Sequence, residues 1–232
     1  MKHYLDLVSI SAGVHRRQSR MTRVCIVLAV FLVAVMFGLA DMYLRSMTEE
    51  TRRQTGDWHC KIVSVDEETA GYIAARPETE LSGWQGNIPA ETGCTLEGQA
   101  VSAAGMDAAI FSQVYFGSFL SGEFPAADGE AAVSSGLAQA AGCSAGDTVS
   151  LNFPDGSAME LTIAGVFDDD SARLITGSAM ALLLMPEGLA SAQTADIRAD
   201  WQYVVRFSLL ASVFSNIAEI MQQNGVPDGQ IT

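Results

Sequence analysis

From Val24 to Ala40 the chain reads VCIVLAVFLVAVMFGLA, 17 residues without a charge. About 30 Å of hydrocarbon at a 1.5 Å rise per residue asks for about 20 apolar residues in a helix. Met42, Tyr43 and Leu44 extend the run to that length, with Tyr43 at headgroup level, and Arg23 reaches back to water at the other end. A span of this kind divides the rest of the chain between two aqueous compartments. The rival reading is a signal peptide cut after Gly38-Leu39-Ala40. The run is longer than the usual 7–15 or so residues of a signal's apolar region and its lead is long, which favours an anchor.

Charge then sets the orientation. Lys2, Arg16, Arg17, Arg20 and Arg23 precede the span, against Asp6 alone. From Asp41 onward there are 8 basic and 26 acidic residues, a net charge of −18. Short basic flanks stay in the cytoplasm, so Arg16, Arg17, Arg20 and Arg23 are the topology determinants. The N-terminus is expected inside a cell (plasma or inner) membrane, as a single-pass protein, with the C-terminal domain extracytoplasmic. A domain this acidic does not track nucleic-acid phosphates and is repelled by anionic headgroups. In the lead, Tyr4, Leu7, Val8 and Val14 fall near one helical face, the pattern of a helix lying in the membrane interface. The expected organisation is a basic lead (1–23), a transmembrane helix (24–44), a polar connector continuing as helix (45–57) and an external domain (58–232).

The external domain reads as α+β, a mixed α/β unit of two small subdomains with residues 116–200 inserted. Alternation predicts a strand over Trp58–Val65. Asp66 offers an N-cap for a helix that Pro77 ends. Strand material follows over Gly93–Ala104, and Gly117–Pro125 is rich in turn residues. Next come a short strand (Glu130–Ser134), a helix (Gly136–Ala141) stopped by Gly142, a turn at Gly146-Asp147, and a hairpin. The hairpin joins Thr148–Phe153 to Met159–Phe167 through Pro154-Asp155-Gly156, where Pro sets φ and Gly allows its positive value. Ser178–Met185 is too short to span a bilayer and reads as a core strand, with Pro186 opening a short helix. Trp201–Ser208 is a strand. Val213–Asn224 is an amphipathic helix with Val213, Ile217, Ile220 and Met221 inward and Gly225 closing it.

Catalytic chemistry does not emerge. The GxxxxGK[ST] pattern is absent, and His59 is the one imidazole outside the lead, better read as a half-exposed strand residue than as part of a Ser–His–Asp set. Asp168-Asp169-Asp170 lacks the glycine of an EF-hand loop and reads as a solvated loop or a weak cation site. Cys60, Cys94 and Cys143 show no paired spacing. A Cys60–Cys94 bridge is open beside the reading of small buried thiols, and a zinc set with His59 lacks ligand spacing. The chain is expected to be no enzyme, with no cofactor and no metal.

The lead RRQSRMTR followed at once by one span resembles the start of FtsX/MacB-type permeases of ABC transporters. Ser121–Asp169 resembles the periplasmic core of that family in the order of Gly122, Phe124-Pro125, Glu130, Gly146-Asp147 and Gly165-Val166, all structural positions. Asp57-Trp58-His59-Cys60-Lys61 resembles the family's first strand after the span. The resemblance implies mechanotransmission, in which a separate ABC ATPase subunit drives an external domain for export, peptide resistance or sensing. Partners would be that ATPase, a second permease copy or the remaining permease spans, and the membrane, with no nucleic acid. Family members continue into further spans, whereas this sequence stops at Gln230-Ile231-Thr232, so the domain is expected to be incomplete at its C-terminus. The alternative is a single-pass protein whose acidic external domain is a binding or sensor module.

A reporter fused at position 150 is expected on the external side. Changing Arg16, Arg17, Arg20 and Arg23 together to Glu should weaken or invert that orientation. A cytoplasmic reporter in the unmodified chain would contradict the assignment.

Overall fold

The computed structural model describes residues 16–194, 197–209 and 212–224. The expected interfacial helix on Tyr4–Val14, the Gly225 stop and the C-terminal Gln230–Thr232 lie outside the described residues. Helix α1 runs Arg16–Thr55 without a break. Its stretch from Arg20 is apolar enough to cross a membrane, with a mean hydropathy of 2.7 in its most apolar window and none of that window buried in the protein. A helix is one of the few backbones that can cross, because it satisfies its own N–H and C=O groups where no water is present. Residues 1–51 and 52–232 form two separate compact units.

In the second unit, eleven strands among the described residues join in one sheet. In chain order they are β1 (Cys60–Val63), β2 (Thr79–Ile88), β3 (Thr95–Leu96), β4 (Gln99–Ala100), β5 (Ser102–Met106) and β6 (Phe119–Gly122). Then follow β7 (Glu130–Ser134), β8 (Thr148–Asn152), β9 (Ala158–Phe167), β10 (Ala181–Leu184) and β11 (Asp200–Phe207). The spatial order is β1-β11-β2-β5-β10-β7-β9-β8-β3-β4, with β6 on β9. The strands of residues 116–200 therefore share a sheet with the flanking ones, joined through the parallel pair β5–β10 and the antiparallel pair β3–β8. Helices α2 (Glu67–Ala74), α3 (Ser135–Ala141), α4 (Asp169–Thr176), α5 (Pro186–Ser191) and α6 (Val213–Asn224) cover it.

Alternation along each strand splits the core. Leu182 and Leu184 of β10 enter one cluster with Val133, Leu137, Leu161 and Leu189, while Leu183 enters another with Met106, Phe111, Phe167 and Val204. A third cluster lies under α2 and α6, where Ile73 and Ile220 meet Ile62, Tyr203, Val205 and Phe207. Of the inward positions read on α6, Val213 and Ile220 are buried and Ile217 and Met221 half-buried. The cysteines are free thiols; Cys60 belongs to the third cluster, Cys94 and Cys143 to the first.

Three stretches show most clearly where the structure departs from the sequence reading. Thr79–Ile88, unassigned there, is a ten-residue strand between β11 and β5. Its glycines hide the pattern yet let neighbours approach: a Cβ at Gly86 would lie 2.6 Å from a Leu189 methyl and 2.9 Å from the Trp201 ring. The turn-rich Gly117–Pro125 contains β6, whose Gly122 has φ +71° and would drive a Cβ to 2.1 Å from Ala164 O. Asp168-Asp169-Asp170 is no solvated loop. Asp168 caps α4 by accepting from Ser171 N–H at 2.8 Å, a stabilising use of a carboxylate at a helix N-terminus, and Asp169 accepts from Gly136 N–H at 2.7 Å.

Phe111 stands within 6 Å, ring centre to ring centre, of Phe119, Phe124 and Phe167. Phe111→Ala is expected to cost about 3–5 kcal/mol in chemical denaturation. Phe214→Ala, at a side chain 87% exposed, should stay within about 0.5 kcal/mol. Comparable losses would contradict this core assignment.

Candidate functional site

Helix α1 ends where its chain turns into the domain, and that turn concentrates the charged and aromatic contacts of this region. Gly56 stops the helix with φ +90°, its N–H donating to Arg52 O at 2.8 Å. A Cβ there would sit 3.1–3.3 Å from Trp58 and the Tyr115 ring, so the glycine also allows close packing. Asp57 N–H donates to Val114 O at 2.8 Å, and the Trp58 indole N–H to Thr55 O at 2.7 Å.

Val114 closes a turn of π-helix, Ile110–Val114, in which Tyr115 N–H reaches back five residues to Ile110 O. Such turns cost regular hydrogen bonds and recur at functional positions. The carbonyls left at its end are met from the junction. Asp57 supplies one donor, and Arg206 on β11 supplies another, Nη1 to Gln113 O at 3.2 Å. Arg206 also holds Asp57 (Nη1–Oδ2, 3.3 Å) and Glu80 on β2 (Nη2–Oε1, 3.1 Å), while Arg52 holds the second Asp57 oxygen at 3.3 Å. One guanidinium thus ties together the chain leaving the helix, the π-turn and the neighbouring strands β11 and β2. The Arg206 and Asp57 side chains are 13% and 18% exposed, so solvent screens their pair less than it screens the Glu80 contact.

Beneath the clamp runs a polar relay. Lys61 Nζ donates to Tyr115 OH at 2.9 Å, and Tyr115 OH donates to buried Gln85 Oε1. Lys61 lies 4.8 Å from the Trp58 ring centre. Burial pushes the Tyr115 phenol up to about 12, the Gln85 bond opposing, and burial lowers Lys61. His59 stacks on Phe207 (ring centres 6.2 Å apart, 8° between planes), and its Nδ1 accepts from Phe207 N–H at 2.9 Å. Burial holds its imidazole below the usual value. Asp57 and Glu80 oppose that shift, and Arg206 and Arg52 reinforce it. A cavity of about 400 Å³ opens between these side chains, lined by Arg52, Asp57, His59, Glu80 and Arg206.

The residues named from the sequence as structural lie elsewhere. Gly122 pairs with Gly165, and Phe124 packs on Phe111. Glu130 Oε2 accepts from Ala126 and Ala127 N–H, and Pro125 is buried beside that loop. Val166 lies opposite Val133 on β7. Gly146 (φ +96°) and Asp147 make the turn before β8, Gly146 N–H donating to Ile163 O and Asp147 O accepting from Ile163 N–H. The sequence reading missed Arg206 and Tyr115; a lone arginine inside the apolar strand WQYVVRF was the available signal for the first. Among the described residues no group of acidic, His and Cys side chains could hold a metal ion.

A family model, the MacB-like periplasmic core domain, matches residues 20–222. The fold is similar to the periplasmic region of MacB from Actinobacillus actinomycetemcomitans (TM-score 0.51, 11% identity, covering 75% of this chain and 86% of that one). It is equally similar to the extracellular domain of YknZ, a noncanonic ABC-type transporter from Gram-positive bacteria (TM-score 0.51, 11% identity, 72% and 88% covered). No curated protein matches the sequence.

His59 makes stability pH-dependent. Its folded value lies below the ordinary one near 6.5, so its contribution is fully present above about pH 6.5 and is lost as pH falls through the folded value. His59→Asn keeps an acceptor but does not titrate. The fall in Tm between about pH 7 and 5 is expected to be smaller in this variant than in the unmodified chain. Equal falls would show that the Phe207–His59 bond carries no pH sensitivity.

Proposed function

We propose, from the fact that this chain belongs to the family of MacB-like periplasmic core domain proteins, that it works in an ABC transporter permease by passing movement between a membrane helix and an external domain. A separate ATPase supplies the work. The observation that carries this reading is the clamp at the end of α1. Asp57, one residue past the helix stop, is held by both Arg206 and the π-turn carbonyl of Val114. A displacement of the helix end cannot be absorbed by a slack linker there; it reaches β2, β11 and the π-turn together.

In this reading the basic cluster Arg16, Arg17, Arg20 and Arg23 keeps the N-terminus in the cytoplasm and the acidic domain outside. Residues 24–44 span the membrane, 45–57 transmit, and 58–232 respond, with 116–200 as an outer lobe built on the β5–β10 pair. Gly122, Phe124, Pro125, Glu130, Gly146, Asp147, Gly165 and Val166 maintain that lobe's shape. In this reading the chain acts with a second copy or with further permease spans and performs no hydrolysis itself. Its sequence has no phosphate-cradling Gly-Lys loop, which supplies the backbone N–H groups and the ammonium that hold nucleotide phosphates.

Liposomes carrying the cognate ATPase alone, with this 232-residue chain, and with a version extended by the downstream spans test the reading. Stimulation of ATP turnover is expected with the extended version only. Arg206→Ala in that version should cost about 1–3 kcal/mol of domain stability and lower stimulation while leaving basal ATPase unchanged. Stimulation by the 232-residue chain alone would favour an accessory regulator, and full stimulation by the Arg206→Ala version would remove the clamp from the mechanism.

A further inference from the structure

Two of the chain's three tryptophans meet on strands β2 and β11. Trp84 on β2 and Trp201 on β11 stand with ring centres 6.3 Å apart and planes 88° to each other. Their positions are fixed from behind. Tyr203 packs edge-on against Trp84 at 5.1 Å, and the Trp201 ring lies across Gly86, where a Cβ would clash at 2.9 Å. Ser64, a non-glycine at φ +56°, turns the chain after β1 so that Val65 joins the wall. With Pro186, Glu187 and Ala190 of α5 these residues line an open groove of about 410 Å³.

The charge of the groove is one-sided. Its lining includes the Glu187 carboxylate and no basic side chain. Behind it the Asp107 carboxylate accepts from Trp84 N–H at 3.1 Å. Burial holds Asp107 above the ordinary carboxylate value, the Trp84 N–H bond opposes that shift, and the Glu187 charge adds to it. The domain around them carries a large negative charge, which concentrates cations at its surface. Perpendicular indole faces with a carboxylate beside them are the arrangement that receives an organic cation, since the π-faces attract its charge and the walls its apolar stem.

We propose that the Trp84–Trp201 groove binds an arginine or lysine side chain presented on an apolar segment of a partner peptide. The indoles enclose the cationic head and Glu187 neutralises it. Val65, Pro186 and Ala190 take the neighbouring apolar residue. This assignment does not depend on the clamp or on transport.

The test uses the full chain in maltoside micelles, labelled with 5-fluorotryptophan, so that three ¹⁹F resonances report Trp58, Trp84 and Trp201 separately. The probes are N-acetyl-leucyl-argininamide and its citrulline counterpart, which keeps the shape of the arginine side chain without its charge. The arginine probe is expected to shift Trp84 and Trp201 saturably and leave Trp58 in place, with the citrulline probe about two- to fivefold weaker. Glu187→Gln, a change at an exposed side chain, should weaken the arginine probe and shrink its advantage over citrulline. Equal binding of the two probes in the unmodified chain would make the groove a neutral apolar site and overturn the proposal. So would no shift of Trp84 and Trp201, or an unchanged arginine affinity in Glu187→Gln.

Discussion

A helix leaving a bilayer must end in water, and its last carbonyls must find donors there. In the second unit the chain that leaves α1 is held at once by side chain and backbone. Gly56 supplies the turn, and Asp57 is then fixed by Arg206 and by the carbonyl of a π-turn. Arg206 is placed because β11 lies between β1 and β2 in the sheet, so one side chain reaches the entering chain, Glu80 and Gln113 together.

Much of this fold was legible where local chemistry agrees with the final state. The span, the Asp66 cap, the Gly142 stop, the Pro154-Asp155-Gly156 hairpin and the Pro186 helix start are short-range signals, and each appears where the sequence places it. Strand β2 was not legible because its two glycines break the period; its stability comes from β11 and β5, more than a hundred residues away in one case. The acidic triplet was misread because a cap and a solvated loop share a composition. Only the Ser171 and Gly136 amides, brought in by folding, distinguish them.

The site was legible only in outline. Asp57 to Lys61 drew notice through resemblance to a first strand after a span, and His59 as a lone imidazole. Arg206 and Tyr115 are ordinary residues in sequence; their roles arise from long-range pairing, which a single chain read locally does not display. The tryptophan groove is the same case: Trp84 and Trp201 become neighbours only through the Trp201–Gly86 register of β2 and β11.

The central claim is that the end of α1 and the π-turn are one mechanical unit joined by Asp57 and Arg206. Amide hydrogen exchange on the full chain measures this directly. In an Asp57→Asn, Arg206→Gln double variant, protection over residues 111–117 is expected to fall, while β7, β9 and β10 keep theirs. Unchanged protection at 111–117, or a uniform loss across the sheet, would contradict the claim.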